Sequence, residues 1–205
     1  ELQRYRLTEA HLMLKRVLRL PIESNLEAMA KYFANCEDEV SASEAYYIQG
    51  AYLNYIGENT QAMQYLKKAE SYPAASIIRG MTYYKMGRIS ESEQLYDIAL
   101  ENYQKALPYL EEAGLPLYLA SVYRELGRNT DNEIGNQYFD KALAAARFMG
   151  DSILYMDIRY AQLSINQPNS PEIARICPYM CHHVGRKRYA YDSVKYYIRT
   201  HKADS

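Results

Sequence analysis

Gly50, Gly57, Ala62 and Ala69 reappear thirty residues later as Gly80, Gly87, Ser92 and Ala99. Small residues recurring at a fixed interval, in a chain filled by helix formers, are the signature of stacked helical hairpins. Each hairpin can bury its apolar face only against the next one, and the small residues set how closely the helices cross. Gly (9) and Pro (7) are sparse, while Ala, Leu, Glu, Lys, Arg, Gln and Met fill most segments. The 205 residues suffice for one domain of five to six hairpins of about 34 residues each. The fold class that follows is all-α.

The net charge is −1, with acids and bases interspersed, so no global field attracts nucleic acid or anionic lipid. No run approaches the roughly 20 apolar residues of a membrane span, and the start of the chain has no signal-peptide pattern. Glu1 stands where an initiator Met would, and Asp204-Ser205 is a helix-capping pair with no helix after it. The chain therefore reads as a piece with both ends missing. Three cysteines, Cys36, Cys177 and Cys181, are too few for a disulfide framework. Tyr is abundant at 23 and Trp is absent; tyrosine fills a helix interface and still keeps its hydroxyl wet.

Apolar periodicity and the placing of Gly, Pro, Asn and Asp predict helices near 2–19, 22–36, 42–56, 60–71, 74–86, 90–112, 116–126, 132–148, 151–165, 171–183 and 188–200. The clearest hairpin runs from Glu44 to Glu70. Gly57 can take the left-handed conformation that stops a helix, and Gly50 with Ala62 removes bulk where two antiparallel helices cross. Leu66 fills the space beside them.

With Tyr46 opening the first helix, Ala69 seven residues after Ala62, and Pro73 closing the unit, this hairpin resembles the tetratricopeptide repeat. A second unit holds Gly80, Tyr83, Met86, Gly87, Ser92, Tyr96 and Ala99, and places Ser92, Ala99 and Ala106 seven apart along one stripe. A heptad inserted into that second helix would make it project, with Pro108 able to kink it. A third unit carries Leu119, Ala120, Tyr123, Leu126, Gly127, Gly135, Phe139 and Ala142; from Gly87 to Gly127 the interval is forty. The predicted organisation is one array over 1–205. Its best repeats are 44–73, 74–113 and 114–149, its degenerate repeats 1–40 and 150–185, and 186–205 is the first helix of a truncated repeat or a cap.

The resemblance implies a right-handed α-α superhelix whose first helices line a concave groove. It implies a non-catalytic scaffold that binds a protein or peptide. The chain is also similar in flavour to extracytoplasmic tetratricopeptide proteins and membrane-associated sensor-regulators of gut anaerobic bacteria. That likeness implies the sensing part of a larger regulator, in a periplasmic or membrane-anchored setting.

Carried over at the thirty-residue interval, the groove positions are Tyr47, Ile48, Ala51, Tyr55, Ile77, Ile78, Met81, Tyr84, Leu117, Tyr118 and Ser121. The family's clamp for a carboxylate tail needs Lys and Asn four apart; the corresponding pairs here are Tyr47 with Ala51, Ile77 with Met81, and Leu117 with Ser121. The expected ligand is thus an apolar peptide, anchored by Tyr and fitted by Met. The alternative is self-association through the last helix, giving a homodimer.

Other clusters point less far. Cys177, Cys181 and His182 offer soft metal ligands at helical spacing, but no second cluster completes a site and Pro178 distorts the helix. Buried thiols on a core stripe are the expectation, with no metal and no cofactor. Arg186, Lys187 and Arg188 beside Tyr189 and Tyr191 read as a solvated turn, and no nucleic-acid partner is expected. No phosphate loop, nucleophile elbow or zincin helix occurs, so no enzymatic role is expected.

Overall fold

The computed structural model describes residues 1–15 and 25–184. The ends of the first two predicted helices at 16–24, the helix at 188–200 and the basic cluster at 186–188 lie outside the described residues. The chain divides into two compact units, Glu1–Leu115 and Pro116–Ser205. Among the described residues all regular structure is helical.

The first unit holds α1 (Leu2–Lys15), α2 (Leu26–Asn35), α3 (Glu39–Tyr55), α4 (Asn59–Ser71), α5 (Ser76–Ser92) and α6 (Tyr96–Glu112). Caps set its early boundaries: the Asn25 side chain accepts from the Ala28 N–H at 2.9 Å, and Asp38 accepts from the Ser41 N–H at 3.3 Å. Helices α3 and α4 form one hairpin and α5 and α6 the next. The first helices of these hairpins, α3 and α5, also touch directly. Leu26, Tyr47, Ile48, Leu66, Tyr103 and Leu110 are fully enclosed.

The second hairpin departs from the sequence expectation. Helix α5 does not stop at Gly87; it continues to Ser92, and the chain turns at Gln94, which takes φ 62°. Gly87 is buried, and a Cβ there would lie 2.6 Å from Cε1 of Tyr103. It serves the close approach of α5 and α6, and Gln94 supplies the left-handed turn. The heptad read into the second helix therefore belongs to the first: α5 and α6 are 17 residues each. Pro108 lies inside α6, which continues to Glu112.

The second unit holds α7 (Pro116–Arg128), α8 (Asn132–Met149), α9 (Ser152–Asn166) and α10 (Pro171–Val184). Helix α8 ends on Gly150 at φ 68°, where the Asp151 N–H reaches Ala146 O at 3.1 Å and the Gly150 N–H reaches Arg147 O at 3.0 Å. Asp151 then caps α9 by accepting from the Leu154 N–H at 2.9 Å. Tyr160, Leu163, Ile173, Ile176, Cys177 and Met180 close the core between α9 and α10.

Candidate functional site

The contacts inside the first unit fix the repeat at 37 residues. Left-handed turns fall at Gly57 and Gln94, and Glu58 N–H to Leu53 O is matched by Leu95 N–H to Ser90 O, both at 2.9 Å. Gly50 faces Leu66, and Gly87 faces Tyr103. Tyr46 stacks on Tyr72 with ring centroids 5.7 Å apart, and Tyr83 stacks on Tyr109 at 6.1 Å. Lys68 lies 5.6 Å from the Tyr46 ring centroid, and Lys105 lies 6.0 Å from that of Tyr83. Within the second unit the motif returns as Tyr123 stacked on Tyr138 at 6.1 Å with Lys141 at 5.4 Å. An ammonium over an aromatic face is worth about 0.5–1 kcal/mol at exposed sites, so each hairpin is pinned by the same tyrosine and lysine device.

The thirty-residue recurrence is therefore a coincidence of two glycine roles, one ending a helix and the other admitting a neighbour. Matching at 37 residues pairs Tyr46, Tyr47, Gly50, Ala62, Lys68, Ala69 and Tyr72 with Tyr83, Tyr84, Gly87, Ala99, Lys105, Ala106 and Tyr109. That comparison was available in the sequence and went unread because glycine spacing was weighted above tyrosine and lysine spacing.

The predicted groove residues are placed as follows. Tyr47, Ile48 and Ala51 on α3 are buried, as are Ile78, Met81 and Tyr84 on α5. Tyr55 is exposed at 59%, and Ile77 is half-buried. In the second unit Leu117 is exposed, and Tyr118 and Ser121 are half-buried. At the observed period, Tyr47, Ile48 and Ala51 correspond to Tyr84, Lys85 and Arg88. Lys85 and Arg88 were thus missed on this face.

Electrostatics separates satisfied from unsatisfied charge. The Tyr65 hydroxyl donates to Glu27 Oε2 at 2.7 Å, and Lys31 and Lys68 flank that carboxylate at 3.2 and 3.7 Å. The bond to Glu27, with burial behind it, pushes Tyr65 up to about 12, while the same bond and Lys31 hold Glu27 below its ordinary value. In the second unit Glu125 is 1% exposed. It accepts from Arg124 Nε at 2.8 Å and Arg128 Nη1 at 3.2 Å, and Arg124 Nη1 also donates to Asp157. Arg159 grips Glu172 through two bonds of 2.9 and 2.7 Å, which raises the guanidinium and lowers the carboxylate. Lys85 differs. Burial lowers its ammonium, the like charge of Arg88 lowers it further, and among the described residues no carboxylate answers it.

Cys177 is wholly enclosed, Cys181 packs at the edge of the same core, and His182 is exposed. Among the described residues no group of three His, Cys, Asp or Glu side chains is arranged to hold a metal ion, and no helix is long and apolar enough to cross a membrane.

No protein-family model matches the chain, and no curated protein sequence does. Among solved structures the chain is similar to aspartyl phosphate phosphatase F from Bacillus subtilis, with a TM-score of 0.64 at 14% identity, over 98% of this chain and 55% of that one. The chain thus spans about half the length of that solved protein. Likeness at this identity speaks for the fold alone, and with the hairpins described above it makes the chain an all-α helical-repeat protein.

Proposed function

We propose that the chain is a non-catalytic scaffold that holds a peptide or protein segment along the first helices of its hairpins. The observation that supports this most is the direct contact of α3 with α5 inside the first unit. Successive first helices lie side by side there, so their outward positions form a continuous surface for an extended ligand. Half-buried and exposed apolar groups, Ile77 and Tyr55 among them, supply anchors of the type that dominates peptide recognition. A larger bacterial regulator, periplasmic or membrane-associated, is the setting we favour for such a scaffold. The phosphatase activity named for the similar structure describes that protein, and nothing in the site of this one calls for it.

The test uses an array of random-sequence peptides probed with the wild-type chain and with a Tyr55→Ala, Ile77→Ala variant. Both substitutions fall outside the fully enclosed core, so the melting temperature should hold. The wild type should bind a related set of peptides with micromolar affinity, weakened about tenfold in the variant, which corresponds to about 1.4 kcal/mol. A wild-type chain that binds no peptide would reject the reading.

A further inference from the structure

The geometry points to Lys85 as a recognition residue for a carboxylate side chain of the bound segment, so that the partner is an acidic peptide with apolar neighbours to its acid. This rests on the scaffold reading above and names the chemistry of its ligand.

The argument starts from position. Lys85 stands 37 residues after Ile48, which is 0% exposed, and one helical turn from Met81 and Ile89, which are 4% and 3% exposed. The stripe on α5 is otherwise apolar, and the preceding repeat shows that an aliphatic side chain fits this place. A half-buried ammonium there is costly, because burial strips its hydration and no opposite charge repays it. Among the described residues, the charge acting on it is that of Arg88. Arg88 is itself engaged, with Nη1 3.2 Å from the Tyr84 hydroxyl and Nε 3.8 Å from Glu91 Oε2. Every other cation quoted above meets a carboxylate or an aromatic face. Lys85 alone in that set lies on a ligand-facing register, half-buried, with only a like charge beside it.

Charge complementarity decides the occupant. A single ammonium matches a monovalent carboxylate, whereas a phosphate dianion wants several donors at once. A nucleic-acid strand wants a run of cations, and the net charge of −1 supplies no field for one. The apolar flanks Met81 and Tyr84 suit the aliphatic and aromatic neighbours of a peptide acid. This revises the purely apolar ligand expected from the thirty-residue register. It is also distinct from the Lys and Asn clamp, since the clamp positions on α5 are Tyr84 and Arg88.

The experiment probes the random-sequence peptide array with the wild type, Lys85→Met and Lys85→Arg, and follows thermal unfolding of all three. Wild-type binders should be enriched in Asp and Glu, and Glu→Gln in the best of them should weaken binding about tenfold. In Lys85→Met the same Glu→Gln change should matter less than twofold, Lys85→Arg should retain the acidic preference, and Lys85→Met should melt at the wild-type temperature or above. Binders with no acidic preference, or a preference that survives Lys85→Met, would overturn the inference and leave the scaffold reading standing. A Lys85→Met chain that melts several degrees lower would make Lys85 structural and overturn it too. A single-stranded DNA oligonucleotide that binds as tightly as the peptides, and depends on Lys85, would replace the peptide by a general polyanion. An array with no binders removes both readings together.

Discussion

Tyr65 and Glu27 illustrate how one hydrogen bond decides where a residue titrates. The phenol is worth more to the fold as a donor to a carboxylate than as a free group, so its folded value of about 12 stands above the ordinary 10.0. A group raised on folding stabilises fully below its unfolded value, and that stability is lost as the pH rises through the folded one. The contribution of Tyr65 should therefore be intact at neutral pH and fade between about 10 and about 12. Denaturant titration should show Tyr65→Phe less stable than wild type at neutral pH, with the gap closing across that window. In an ultraviolet titration, Glu27→Gln should return the last tyrosine to ionise toward the ordinary range. Lys85 has the opposite sign: its value is lowered from 10.5, so its penalty is present below the folded value and relieved as the pH rises toward 10.5. Neither effect was legible in the sequence, because Tyr65 is one of 23 tyrosines and Glu27 lies 38 residues away from it.

Among the elements, α5 shows what small residues can and cannot announce. Glycine is used both to end a helix and to admit a neighbouring helix, and spacing alone does not separate the two uses. Gly57 ends α3, with φ 92° and open space around its missing side chain. Gly87 has ordinary helical backbone and Tyr103 against it. Gly87→Ala should thus overpack the α5 and α6 interface and cost about 1–3 kcal/mol, read from the denaturation midpoint. Gln94 holds φ 62° without being glycine. Gln94→Gly should remove that strain and raise stability by up to about 1 kcal/mol; a loss there would mean that the Gln94 side chain holds the turn. Helix boundaries were well read where a cap or a left-handed glycine marks them, as at Asp151 and Gly150. They were misread where the turn residue was a glutamine.

For the whole chain, helix content and hairpin order were legible because apolar periodicity and break residues are local. Burial along the ligand-facing register was harder to read, because it depends on which helix lies opposite. Among the described residues, helices meet their sequence neighbours and the next helix of the same kind within their own unit, as α3 does α5 and α7 does α9. Stability in such an architecture is a sum of local terms and nearest-neighbour interfaces. The buried charge of Glu125 makes that testable. Its two arginine partners and the Asp157 behind Arg124 join α7 to α9. Glu125→Ala leaves Arg124, which is 14% exposed in its side chain, with half of its compensation gone, and breaking a buried pair from one side costs about 3–5 kcal/mol. Native-state hydrogen exchange should then show protection falling across α7, α8 and α9. The amides of α3 to α6 should keep their wild-type rates, since the chain divides into two compact units at Leu115. Equal loss of protection in α3 to α6 would mean that the chain unfolds as one cooperative body, and the nearest-neighbour account would have to be given up.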